Sequence, residues 1–158
     1  MPGPRLAQAQ VADHWALFRE RLSEVGGEVA DFSAVADCPG PFWIQEGLKG
    51  FWPGFDLAAD PWEAMTGVCR ADMAVAETGS VLFASGPDQP RLLSLLPPRH
   101  VVLLDPKQIE SNLEAALARL DRRNWAIVTG PSRTADIEGI LVRGVHGPRE
   151  LIVVPFPV

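Results

Sequence analysis

The segment HVVLLD, residues 100–105, constrains this chain more than any other. Its aliphatic run does not alternate with polar residues, so neither face is left for water and the segment predicts a strand buried on both sides, as in a parallel sheet covered by helices. The residues after it extend the theme. Ile109, Leu113, Ala116, Leu117 and Leu120 lie on one stripe of a helix predicted over residues 106–122. WAIVT (125–129) is a second strand, residues 134–142 a second helix, and ELIVVPF (150–156) a last strand. Strand, helix, strand, helix, strand with short links predicts successive right-handed βαβ crossovers, and hence an α/β fold with a mostly parallel sheet and flanking helices.

The first half of the chain is less regular. Val11, Trp15, Phe18, Leu22 and Val25 paint one face of a helix over residues 5–25, which Gly26 and Gly27 end. A short strand is expected at 28–32. Residues 37–57 then hold four Gly, three Pro and five Phe or Trp, which suggests irregular structure anchored by aromatics: a peripheral arm, a lid or an oligomer contact. Asp60, Pro61 and Glu63 mark the start of a short helix at 61–65. MAVAE and SVLFAS flank Thr78-Gly79 as a hairpin. With 158 residues, 47% of them hydrophobic, a single domain is expected. Residues 1–67 would supply its N-terminal helix and aromatic region, and residues 68–158 its α/β core.

Several function classes are disfavoured. Net charge is −6 and the 14 Lys and Arg form no run, so no electrostatic footprint for nucleic acid is present. Cys38 and Cys69 are too far apart for a CxxC clip and too few for a disulfide framework, which suits a reducing cytosol and argues against a metal site. The N-terminus lacks a signal-peptide apolar core, and no apolar run approaches the roughly 20 residues that span a bilayer. A soluble cytoplasmic protein with no membrane contact is expected. No haem, flavin, metal or dinucleotide signature is visible, so no cofactor is expected in this chain.

Three clusters carry candidate chemistry. Residues 130–134, Gly-Pro-Ser-Arg-Thr, follow WAIVT and precede the second predicted helix, where loops at the carboxyl ends of parallel strands meet helix N-termini that attract anions. Gly130 would allow close backbone approach, Ser132 and Thr134 offer hydroxyls, and Arg133 offers a fork for carboxylate or phosphate, with Asp136 just behind. Simple capping by Ser132 or Thr134, with Arg133 solvated or paired to Asp136, accounts for the same residues. The cluster around His146 lies at the opposite end of the predicted crossover; His146 is a candidate acid, base or anion contact. At Glu77, Thr78 and Gly79, a carboxylate beside a glycine turn suits a base or nucleophile if buried, and an exposed hairpin residue if not. Arg99 and His100 after Pro97-Pro98 read as structural, with His100 a weak candidate.

Taken together, AETGS, SLLPP followed by HVVLL, GPSRTADIE and GVHGPREL, in this order and spacing, closely resemble the lactate-utilisation (LUD) domain family, nearest its lactate utilisation protein C branch. The resemblance implies a sugar-phosphate isomerase and CoA-transferase-like fold. It further implies a role in a cytoplasmic system that oxidises L-lactate to pyruvate with iron–sulfur partner proteins. Two functions compete: a non-redox subunit that binds a small organic anion or phosphate or supports assembly, and a free-standing enzyme of acyl or CoA transfer or sugar-phosphate isomerisation, with Glu77 as base or nucleophile and Arg133 holding the anion. A sensor that binds lactate or a sugar phosphate without turnover is a third possibility.

Overall fold

Helix α1 (Gln8–Glu24) ends as its sequence predicts. The amide of Gly27 donates to the Leu22 carbonyl and that of Gly26 to Ser23, both at 2.9 Å, with Gly26 at φ +87°, the paired reverse bonds that close a helix on a left-handed glycine. The structure is a computed structural model that describes residues 8–135, 141–143 and 146–156.

Beyond α1 come β1 (Glu28–Val29), β2 (Phe42–Ile44), β3 (Thr66–Arg70), β4 (Met73–Val75), β5 (Ser80–Ser85), β6 (Arg99–Leu104) and β7 (Ile109–Glu110). They are followed by α2 (Leu113–Leu117), β8 (Asn124–Val128), β9 (Arg133–Ala135), β10 (Leu141–Arg143) and β11 (Glu150–Pro155). A five-stranded sheet, ordered β1-β11-β6-β3-β2, is parallel throughout. A four-stranded sheet, β7-β4-β5-β8, is antiparallel except for the β4–β7 pair. The α/β class with a mostly parallel central sheet stands.

HVVLLD is the centre of the parallel sheet, and both its faces are buried. Val102 and Leu104 enter a core shared with Leu151 and Val153 of β11, Val81 and Phe83 of the second sheet, and Phe18 and Leu22 of α1. Val101 and Leu103 enter the core on the other face with Val68, Val154, Ile44 and Trp52. Full burial contributes roughly 1.5–3 kcal/mol per large aliphatic side chain, so this strand is the main apolar anchor of both layers.

The aromatic region is neither arm nor lid. β2 is an edge strand of the parallel sheet, and Phe32 stacks on Trp52 (5.0 Å between ring centroids) and on Phe156 (5.4 Å), while Phe42 meets Phe55 at 4.5 Å. These rings close the outer face of the sheet. Asp60 accepts from the Trp62 amide as expected of a cap, but only one 3-10 turn, Pro61–Glu63, follows.

Two expected helices are corrected. Over residues 106–122, Pro106 starts a single 3-10 turn, fully buried Ile109 then pairs with Ala74 as strand β7, and only after Asn112 caps the Ala115 amide (2.8 Å) does the five-residue helix α2 form. A stripe with helical spacing was satisfied by a strand and then a helix. Within 134–142 the described residues are strands: β9 and β10 pair antiparallel, with the β-branched Thr134 and Val142 in register. WAIVT is also reassigned. As β8 it pairs antiparallel with β5 at the edge of the second sheet, so the two short crossovers become one long crossover from β6 to β11 that carries β7, α2, β8, β9 and β10.

Candidate functional site

The β4–β5 turn and the segment after β8 lie at the same end of the second sheet, because antiparallel pairing sets Val81 opposite Val128. Both lean on the last turns of α1 through glycines. Gly79 has φ +66°, and a Cβ there would stand 2.4 Å from the Leu22 amide nitrogen; Gly130 has φ +75°, and a Cβ there would stand 2.5 Å from the Val25 carbonyl oxygen. Only glycine suits either place. Ser132 donates its amide to the Pro148 carbonyl (2.8 Å), Gly147 packs on the Ser132 side chain, and the Arg149 amide donates to Pro98 just before β6.

This geometry corrects two expectations. The clusters around Ser132 and His146 are neighbours rather than opposite ends of a crossover. They also sit at the amino ends of β6 and β11, not at the carboxyl ends where a parallel sheet gathers ligands, because the strand before Gly130 belongs to the other sheet. Gly130 faces the C-terminal end of α1, whose partial charge is negative and does not attract anions.

The charged candidates are engaged. Glu77 is exposed; its Oε1 accepts from the Leu113 amide (2.9 Å), and its own amide donates to the Ser111 carbonyl (3.2 Å), so it joins Asn112 in closing the start of α2. Arg133 donates Nη2 to the Val25 carbonyl and so neutralises the C-terminal end of α1. Among the described residues its partner is this carbonyl at the end of α1; Asp136, the other partner expected for a structural Arg133, lies outside the described residues. Thr134 is in β9, and His146 is exposed beside Gly147. Arg133→Ala should lower stability by about 1 kcal/mol or less, given its exposure, roughly 2–4 °C in melting temperature.

Sequence reading named Thr78 but missed Ser80 and Thr129, the hydroxyls that join it between these loops. Ser80 Oγ, in a residue 2% exposed, lies 2.7 Å from Thr78 Oγ1 and 2.7 Å from Thr129 Oγ1. The signal was the hairpin register, which sets the first residue of SVLFAS beside the last of WAIVT. Thr78 is half-buried and Thr129 exposed, so the row runs from the hairpin turn to the surface.

Two other polar groups lie apart. Cys69 Sγ and His100 Nε2 are 3.0 Å apart in the core, and among the described residues His100 Nδ1 has no partner. Burial pushes the thiol well above its ordinary range and the imidazole down to about 4, so both are neutral at pH 7 and unsuited to nucleophilic work. At the amino end of the parallel sheet Arg99 pairs with Glu150, and burial raises the nearby Cys38 thiol despite the lowering influence of Arg99.

The LUD domain family matches residues 59–154, more than half of the chain. The chain belongs to the LUD-domain family. Lactate utilization protein C of Deinococcus radiodurans is 30% identical over 98% of this chain and 82% of its own length. That of Bacillus licheniformis is 34% identical over 67% of this chain and 50% of its own. The chain thus spans about half the length of several curated relatives that it matches. A solved DUF162-family protein from Deinococcus radiodurans superposes with a TM-score of 0.68 over 92% of this chain and 97% of that one, at 22% identity, and shares the fold.

Proposed function

We propose that this LUD domain serves L-lactate utilisation as a non-redox subunit that binds a small organic acid or phosphate, or supports assembly, beside partner proteins that carry the iron–sulfur centres. The names of its relatives supply the lactate context. The observation that carries the non-catalytic reading is the engagement of Glu77 and Arg133, the pair that acyl or CoA transfer would need, at the ends of two different helices. A carboxylate that caps an amide in an exposed turn lacks the burial that would make it a poised base or nucleophile. Two cysteines, one hydrogen-bonded to His100 in the core, fall short of the usual four thiolates of a cluster, and this supports the reading in which a partner carries the redox centre. The cytoplasm is the proposed compartment; among the described residues no helix is long and apolar enough to cross a membrane.

The proposed ligand contacts are Thr129, Ser132 and His146, with Thr78 behind Thr129 through Ser80 and with Gly79 and Gly130 setting the turns. Deleting the gene from its native host should abolish growth on L-lactate, and complementation by wild type and by Glu77→Gln alike should restore it. Normal growth of the deletion strain would end the lactate reading. Failure of Glu77→Gln alone, with an acyl adduct on Glu77 in the wild-type protein, would establish the enzyme reading in its place.

A further inference from the structure

We infer that Thr78, Ser80 and Thr129 form a switchable hydroxyl relay whose Thr129 end donates to a carboxylate oxygen of the bound organic acid; this rests on the site reading above. The argument begins with the buried middle member. A serine hydroxyl has one proton, and Ser80 Oγ has two hydroxyl partners at 2.7 Å each and no other partner among the described residues. If it accepted from both, its own proton would be buried without an acceptor, a penalty that structures avoid. Ser80 therefore donates to one threonine and accepts from the other.

The row thus has a direction. In one state Thr78 donates to Ser80, Ser80 to Thr129, and Thr129 presents its proton outward. In the other state all three rotate and Thr129 presents only lone pairs. Rotation of hydroxyls is the whole change. Of the two ends, Thr129 is exposed, three residues before Ser132, whose amide binds Pro148 in the His146 segment, whereas Thr78 is half-buried. A carboxylate at Thr129 selects the outward state, and each bond behind it polarises the next. The neighbouring α1 terminus is negative at this end and its Val25 carbonyl is held by Arg133, so an O–H donor supplies what the helix end does not.

The test uses L-lactate and pyruvate as probes, with calorimetric affinity and melting temperature measured on each variant. Thr129→Val should weaken binding about tenfold or more, the loss of one charge-assisted hydrogen bond, while the lost bond to Ser80 lowers the melting temperature by about 4 °C at most and leaves the chain folded, and Thr129→Ser should restore binding. Thr78, which does not touch the ligand, should matter only through Ser80. Thr78→Val should weaken binding about threefold in the wild-type background and not at all in Ser80→Ala, a coupling that a purely structural role would not produce. If wild type binds and Thr129→Val binds equally well, the relay is overturned while the site stands. The relay is likewise overturned if Thr78→Val acts independently of Ser80. If wild type binds neither probe, the organic-acid site is overturned and the relay as its donor with it.

Discussion

Gly79→Ala should cost about 3 kcal/mol or more, the sum of a left-handed φ for a residue with a Cβ and an overlap that no rotamer can relieve. The added atom would lie 2.4 Å from the Leu22 nitrogen, 2.7 Å from the Arg21 carbonyl carbon and 2.8 Å from the Leu22 Cα, all backbone. Relief requires α1 to move off the core into which Phe18 and Leu22 are fully buried. Gly130→Ala should behave alike, with φ +75° and the Val25 carbonyl at 2.5 Å. Gly47→Ala, where a Cβ meets nothing within 4 Å, is the control and should stay within about 0.5 kcal/mol of wild type. Urea titration reads the difference. A loss below about 1 kcal/mol at both Gly79 and Gly130 would mean that the α1 contact is soft, contrary to the packing described.

Stability should also fall by about 3 kcal/mol between pH 6.5 and pH 4 on account of His100 alone. Burial lowers its pKa from 6.5 to about 4 in the folded chain. Above pH 6.5 the imidazole is neutral in both states and its contribution is complete. As pH falls, the unfolded chain takes up the proton first and the folded chain does not, so stability declines until the folded pKa is reached. Carboxylates add their own acid dependence, so the relevant measurement is the difference between wild type and His100→Leu across this range. A wild-type curve parallel to that of His100→Leu would show that His100 does not resist protonation. Above pH 7 the two curves should run parallel.

Much of this was legible in the sequence because the relevant physics is local. The capping glycines after Glu24, the turn chemistry of Asp60-Pro61, the hairpin around Thr78-Gly79 and the double burial of HVVLLD each depend on a few neighbouring residues, and each stands in the structure. The candidate loops were found for the same reason, since glycine, serine and threonine clusters mark turns wherever they fold.

The failures are non-local. Ile109 pairs with Ala74 and WAIVT with SVLFAS, and a strand's sequence reports its burial but not which of two sheets will receive its hydrogen bonds. Once WAIVT joins the second sheet, the loop after it moves from the carboxyl to the amino end of the parallel strands. Arg133 then meets the Val25 carbonyl, and Ser132 meets Pro148. The sequence by itself determined the α/β class, the central buried strand and the identity of the turn residues, because apolar runs and backbone preferences act over a few residues. Only the tertiary structure decided that Glu77 and Arg133 close helix ends and that Thr78, Ser80 and Thr129 form one row, because those contacts join residues 36, 108 and 49 positions apart, and no periodicity reaches so far.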